Sequence, residues 1–351
     1  MIPAEILNPA NVDPRKEYPH DIQPDTDNWT EYHYFFCYDK AQQTGISFHL
    51  GRLREDLRIW RTILFVYLPN GEVMAHKLSG VDDAPYSYSA GPLRLTCVEP
   101  MRVWAIEFHG ALQAMKREDL AYDVLKDGVD EVVSFRFILE AAEPFFSLDP
   151  NAMEGLPNMG WAHDHYEQIH HMRGEITYRG KTVDLQGVAV RDHSSGPRDT
   201  GKPYGGCFVN MLFPSGIVIS FTQVKTPSYD GTYGRIYWGD NTPAEPIKVL
   251  KGIPINDANT PPESVNADVL ADGKGPTLLL STSRGELEIA IEYLHSVVTT
   301  YVPPSDEVGG TDYSRPESAQ QTKIAAAFTC NGEEGLGEID RYARIKTLKK
   351  R

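Results

Sequence analysis

Residues 160–199 read GWAHDHYEQIHHMRGEITYRGKTVDLQGVAVRDHSSGPRD. Two extended runs, 166–178 and 181–191, flank Arg179-Gly180, where the glycine tolerates the left-handed backbone of a tight turn. The stretch therefore predicts a β-hairpin. It ends in a polar turn, residues 191–199, which glycine and proline interrupt.

Asp192 and His193 follow the second run of this hairpin. Side chains alternate between the two faces of a strand, so this pair points to opposite faces unless the strand bends. Ser194-Ser195-Gly196-Pro197 favours a bend, because proline removes a ladder donor and glycine weakens a strand interior. A carboxylate beside an imidazole can act as a general acid/base couple. We therefore predict Asp192 and His193 as catalytic residues; the alternative is an ion-pair network that fixes the turn.

The rest of the chain continues the strand pattern. Short runs rich in aromatic and β-branched residues alternate with turn residues, as in 62–68 and 72–78 around Pro69-Asn70-Gly71. Two successive sets of such runs predict an all-β protein with little helix and two antiparallel β units, each closed into a barrel or packed as a sandwich. Residues 111–130 carry apolar side chains at roughly helical spacing and predict a helix.

The changes in composition along the chain predict three regions. Residues 1–28 are rich in Pro, Asp and Asn and read as an irregular lead-in. The first β domain is expected over residues 29–150 and the second over 158–351, with a linker between them.

The overall composition narrows the class of partner. A net charge of −15 opposes binding to a nucleic-acid backbone, which needs a basic face. The N-terminus lacks the pattern of a signal peptide, and no apolar run is long enough to cross a bilayer. The four cysteines form no CxxC pair, so neither a thiolate metal site nor a redox motif is indicated. We expect a cytoplasmic protein that binds a hydrophobic small molecule, and the sequence leaves a homodimer open.

Histidines of the opening stretch suggest a metal site as an alternative. His163, His165 and His171 share the parity of one strand face with Glu167. Such a set could hold zinc or iron if it converged with His193. The opposing interpretation places His163 and His165 in a loop and His171 on an exposed strand face. Because the sequence offers no second complete ligand set, we predict no metal and no cofactor.

Aromatic, basic and histidine side chains are predicted to bind the substrate. They are Trp161, His165, Tyr166, Arg191, Arg198, Tyr237 and Trp238. Aromatic residues of this kind also fill ordinary cores, and arginines also form structural ion pairs. The motifs GxSxG, Walker loop, dinucleotide glycine fingerprint and HExxH are absent from the sequence, which removes the main signature of those enzyme classes.

The segment Gly187–Arg198 resembles the carotenoid hydratase (hydroxyneurosporene synthase) and AttH-like superfamily, whose members carry Asp-His or a close variant at the end of a strand. The opening Trp29-Thr30-Glu31, the turn Leu68–Gly71 and the ending Gly337–Arg341 are also similar. The resemblance implies two lipocalin-like barrels with an apolar cavity near their junction.

The same resemblance implies acid/base chemistry at Asp192 and His193. Ser195 stands where many relatives have tryptophan, which argues against a carotenoid substrate. The predicted function is a cofactor-independent lyase or hydratase that adds or removes water, or another small group, on a terpenoid, steroid or aromatic compound. An isomerase or cyclase using the same cavity, and a carrier without catalysis, are the rival hypotheses.

Overall fold

The computed structural model describes residues 2–22, 26–27, 29–82, 84–126, 128–147, 164–197, 205–225, 230–255, 270–302 and 306–348. The first sheet contains β1 Trp29–Asp39, β2 Thr44–Leu53, β3 Asp56–Tyr67, β4 Glu72–Val81, β5 Ser87–Ala90, β6 Leu93–Glu99, β7 Val103–Lys116, β8 Val129–Ala141, β9 Phe146–Ser147, β10 Asp164–Tyr178 and β11 Lys181–Pro197. The second contains β12 Gly205–Leu212, β13 Val218–Lys225, β14 Asp230–Tyr237, β15 Glu245–Pro246, β16 Lys248–Lys251, β17 Gly273–Thr282, β18 Gly285–Val302, β19 Asp306–Gly309, β20 Ala319–Cys330 and β21 Glu333–Arg344. The helices are α1 Ala4–Leu7 and α2 Arg117–Tyr122, with 3-10 turns at Pro14–Glu17, Pro69–Gly71 and Ile345–Thr347.

The chain divides into two units, each with its own antiparallel sheet. Strands make up 68% of the structure and helices 7%, which confirms the predicted all-β class. Pairing of β4 with β7 closes the first sheet into a barrel, and the second barrel is nearly closed. Within the described ranges, neither α1 nor α2 is long or apolar enough to cross a bilayer.

The predicted hairpin is confirmed. β10 and β11 pair in register from Asp164 opposite Ser195 to Tyr178 opposite Lys181. Arg179 and Gly180 both have positive φ, at 50° and 71°, as a two-residue turn of the primed type requires.

This hairpin corrects the predicted division at residue 158. β11 also pairs along β1, from Trp29 opposite Pro197 to Tyr38 opposite Val188. The hairpin therefore belongs to the first sheet and not to the second domain, because its neighbours on both sides, β1 and β8, are strands of the first sheet.

Alternation along β1 and β11 decides which side chains enter the first barrel. Phe35 and Cys37 of β1 and Ala189 of β11 belong to a large buried apolar cluster with Trp60, Tyr88 and Trp104. Side chains two residues apart share a face, so the same alternation directs Glu31, His33, Arg191 and His193 inward. The end of an otherwise apolar barrel thus carries four polar groups.

Candidate functional site

Glu31, His193 and His20 form a compact group at this end of the first barrel. Nε2 of His193 lies 3.1 Å from Oε1 of Glu31, and both side chains have no exposed surface. The rings of His20 and His193 have centroids 5.0 Å apart. One ligating atom from each of the three residues lies within 4.8 Å of the other two.

The tautomer of His20 follows from its contact with Lys16. Nε2 of His20 lies 3.1 Å from the Lys16 carbonyl oxygen, which can only accept a hydrogen bond. Nε2 therefore carries a hydrogen, and in the neutral ring Nδ1 holds the lone pair. Burial, aided by the charge of His193, lowers the pKa of His20, so this ring is neutral near pH 7.

Glu31 is ionised despite its burial. Burial by itself raises the pKa of this carboxyl, but the hydrogen bond from His193 and the charge of Arg52 are among the contacts that outweigh it and lower the pKa. Nε of Arg52 donates to Oε2 of Glu31 at 2.9 Å, and its other nitrogens donate to the carbonyls of His20 and Leu57 at 2.9 and 2.8 Å. Arg52 therefore fixes both the carboxylate and the backbone that presents His20.

His33 stacks on His193, with ring centroids 3.9 Å apart and an interplanar angle of 18°. It has no exposed surface, and neither of its nitrogens has a hydrogen-bond partner among the described residues. Burial, with the neighbouring charges of His193 and Arg191, lowers the pKa of His33 well below its usual value. His33 is therefore a neutral, buried imidazole beside the carboxylate of Glu31, whose Oε1 lies 4.0 Å from its Nε2.

A second buried ion pair lies beside this group. Arg191 donates through NH1 and NH2 to the two carboxylate oxygens of Glu17, at 3.1 and 2.6 Å. Neither residue is exposed, and the guanidinium also lies 5.2 Å from the Trp104 ring centroid and 5.3 Å from that of Phe145. Two-point pairing in a fully buried position identifies Arg191 as a fixed structural cation.

A surface depression of about 490 Å³ reaches the site at His20. Its lining is mostly polar and also includes Trp29, Lys16, Asp164 and Ser195. Lys16 and Asp164 form an ion pair of 2.7 Å at this rim. His20 is thus the member of the group that meets solvent, with Glu31 and His193 buried behind it.

The predicted couple of Asp192 and His193 is not assembled. β11 stays in register with β10 through Ser195 and with β1 through Pro197, so the predicted bend after residue 193 is wrong. The two side chains consequently leave opposite faces of the sheet. The carboxylate that contacts His193 belongs to Glu31, whereas Asp192 is half-buried at a position opposite Tyr34 and Glu167.

The structure places the predicted substrate-binding residues in three different surroundings. Tyr166 lies inside the first barrel, its ring centroid 5.9 Å from that of His193, and burial together with Asp164 raises its pKa. Arg191 is engaged by Glu17. His165 faces the other way along β10, where its Nε2 lies 3.0 Å from Glu167.

Of the remaining members of that set, two belong to the second unit and two lie outside the described residues. Tyr237 and Trp238 lie in the second unit: the Tyr237 hydroxyl contacts Asn241 at 3.4 Å, and Trp238 donates to Glu245. Trp161 and Arg198 lie outside the described residues.

The described histidines of the alternative metal set, His165 and His171, do not have the surroundings that the metal hypothesis requires. His165 is engaged by Glu167, and His171 is an exposed residue of β10. His163 lies outside the described residues. The described histidines of that set do not converge on His193, whose neighbours are His20, His33 and Glu31.

Sequence reasoning missed Glu17, His20 and Glu31. In Glu31-Tyr-His-Tyr-Phe35, Glu31 and His33 are spaced two residues apart from each other and from Phe35. They therefore share the strand face of Phe35, which is buried in the core. A charged residue on a core face is rarely fully buried without a partner, so this parity was the available signal. Glu17 and His20 come from the irregular lead-in, where no periodicity marks a buried position.

Comparison of the structure with solved structures confirms the predicted AttH-like resemblance at the level of the fold. A Nitrosomonas europaea protein provisionally assigned as AttH matches with a TM-score of 0.59 at 12% identity, over 97% of this chain and 98% of that one. Kievitone hydratase from Nectria haematococca matches with a TM-score of 0.47 at 12% identity, over 93% of each chain. CghA matches with a TM-score of 0.48 at 10% identity, over 94% of this chain and 90% of that one.

Comparison of the sequence with proteins of curated function gives no match. The model of a family described as a domain of unknown function, DUF7064, matches residues 13–253, more than half of the 351 residues, and this chain belongs to that family.

Proposed function

We propose that this protein is a lyase of the hydratase or dehydratase type, and that His20 transfers the proton while Glu31 and His193 support it. The observation that carries this proposal is the buried Glu31–His193 pair behind a neutral histidine that lines a depression. An imidazole whose pKa is moved by burial and held beside a carboxylate is a suitable general acid/base.

The proton transfer uses atoms whose state the geometry supports. Nδ1 of His20 accepts a proton from a substrate carbon that neighbours an electron-withdrawing group, while Nε2–H stays bonded to Lys16. The imidazolium then returns this proton to a hydroxyl group on the adjacent carbon, which leaves as water as the carbon–carbon double bond forms. The reverse sequence adds water. The carboxylate of Glu31 stabilises the transient imidazolium.

The depression supports a substrate with both apolar and oxygen-bearing parts. Trp29 offers an aromatic face, and the other lining groups are suited to hydroxyl or carbonyl oxygens. The volume of about 490 Å³ falls within the size range of small-molecule sites. Hydroxylated terpenoid, steroid or aromatic compounds meet this description.

The first experiment identifies the substrate. Native mass spectrometry of the purified chain would detect a co-purifying organic ligand, and a panel of related compounds would then be incubated with the protein. A product that differs by one water supports the proposal. An unchanged product mass would assign an isomerase or cyclase, and a bound compound that never reacts would assign a carrier.

We expect His20→Asn to lower turnover of that substrate by about 10²- to 10⁴-fold, the usual contribution of a general acid/base. Asp192→Asn is the matched comparison, because Asp192 is the carboxylate that the sequence singled out, and we expect it to retain turnover within a few-fold. The reverse outcome, with turnover lost in Asp192→Asn and kept in His20→Asn, would move the chemistry to the other face of β11.

A further inference from the structure

We propose that His20, Glu31 and His193 also form a binding site for a divalent transition-metal ion, and that occupancy of this site excludes the proton transfer. Only the exclusion of proton transfer rests on the proposed function. The metal site itself follows from the three donor atoms, which lie within 4.8 Å of one another.

Each donor is already held in the orientation that a ligand needs. The Lys16 carbonyl fixes Nε2–H of His20, so Nδ1 is the free donor of that ring. Metal-bound histidines in proteins usually have their second nitrogen held in this way. Arg52 binds Oε2 of Glu31 at 2.9 Å, and Oε1 accepts from Nε2 of His193 at 3.1 Å and from the backbone N–H of His20 at 3.2 Å.

Hydrogen bonding leaves electron pairs for a cation at this position. The carboxylate of Glu31 faces Nε2 of His193, and the contact of Nε2 of His20 with the Lys16 carbonyl leaves the lone pair of that ring on Nδ1. Nε2 of His193 carries a hydrogen in its bond to Glu31, so binding an ion moves that hydrogen to Nδ1 or releases it.

His33 provides an independent sign that this position suits a ligand. A fully buried imidazole without a partner for either nitrogen gives up the hydrogen bonds that it would make to water. Its Nε2 lies 4.0 Å from Oε1 of Glu31, so an imidazole without a hydrogen-bond partner lies beside the three proposed ligands. An aliphatic residue would fill this place in a purely structural core at lower cost.

The donor set selects the kind of ion. Two imidazole nitrogens and one carboxylate oxygen suit Zn²⁺, Fe²⁺ or Co²⁺, whereas Ca²⁺ and Mg²⁺ take mainly oxygen ligands. The Arg52 cation opposes the charge of the ion, so we expect weaker binding than in a structural zinc site.

A bound ion and the proposed catalysis compete for the same electrons. The lone pair on Nδ1 of His20 that would accept the substrate proton is the one that would ligate the ion. The occupied protein therefore lacks its base, and the site acts as an inhibitory metal site. Metal ions would then regulate the proposed activity.

The test is calorimetric titration of Zn²⁺ into the untagged full-length chain after chelation. We expect one site, with affinity at least about 10-fold weaker in His20→Asn and in Glu31→Gln. His109→Asn removes an exposed histidine of the same unit and should leave the affinity unchanged. Co²⁺ gives a second readout, because its visible absorption on binding should be lost in His20→Asn.

Two results would overturn the metal site: no saturable Zn²⁺ binding by the wild-type chain, or equal affinity in the wild type, His20→Asn and Glu31→Gln. Neither result bears on the proposed enzymatic turnover, because turnover is measured in the presence of chelator, with no metal bound. If Zn²⁺ binds with the expected residue dependence but does not lower turnover, the exclusion is wrong and the site itself stands.

Discussion

Replacing Arg191 by methionine is expected to lower the free energy of unfolding by about 3–5 kcal/mol, the usual cost of breaking a buried ion pair from one side. Arg191 and Glu17 have essentially no exposed side-chain surface, and the pair is bonded at two points. Methionine keeps much of the volume between Trp104 and Phe145 but leaves the Glu17 carboxylate without its cation. The hydrogen bond from the Met101 backbone to Glu17, at 3.1 Å, cannot replace that charge.

Urea denaturation at pH 7 measures this effect, and two variants make it specific. In Glu17→Gln/Arg191→Met the buried charge is absent, so we expect the double variant to be more stable than Arg191→Met alone. Arg173→Met breaks a pair with Glu140 in which both side chains are more than half exposed, and it should cost at most about 1 kcal/mol. Equal losses in Arg191→Met and Arg173→Met would show that the buried pair contributes no more than a surface pair.

The fold could be predicted because its signals are local. Turn residues such as Arg179-Gly180 and the strand runs beside them specify a hairpin from residues that are close in sequence. The predicted helix at 111–130 is wrong for the opposite reason. β7 runs to Lys116 and pairs with β8, with Ala111 opposite Val132, so cross-strand pairing overrides the helical spacing and leaves only α2.

The site could be predicted only in part, because its residues meet through long-range pairing. His193 was found in the sequence because it lies next to a polar turn. Its partner Glu31 is 162 positions away and reaches it only through the register of β1 and β11, in which His33 lies opposite His193. Asp192, the neighbour in sequence, is excluded from the couple by the alternation of a strand that continues straight through Pro197.

Replacing Glu31 by glutamine is expected to affect both stability and turnover. Glutamine retains the shape and one acceptor oxygen but leaves the Arg52 guanidinium, which is 5% exposed, without its counter-charge. We expect a loss of about 3 kcal/mol in unfolding free energy at pH 7, at the lower end for a broken buried pair. Turnover should fall as well, because the imidazolium of His20 loses its stabilising carboxylate.

The pH dependence of the unfolding free energy distinguishes the loss of the Glu31 charge from poor packing of the glutamine side chain. The pKa of Glu31 is lower in the folded protein than its usual value of 4.5. Its ionised form therefore contributes stability above the unfolded pKa, and this contribution is lost as the pH falls through the folded pKa. The difference in unfolding free energy between wild type and Glu31→Gln should be constant from pH 6 upward. It should become smaller on acidification below about pH 4.5.

Denaturation curves collected across this pH range for wild type, Glu31→Gln and Asp192→Asn would decide the matter. If the difference in unfolding free energy stays the same at acid pH, glutamine disturbs the packing, and the charge of Glu31 does not stabilise the fold. A difference that becomes smaller only for Glu31→Gln would identify Glu31 as the ionised partner of His193 and Arg52. The carboxylate that stabilises this end of the barrel would then be the one that stabilises the charged histidine during proton transfer.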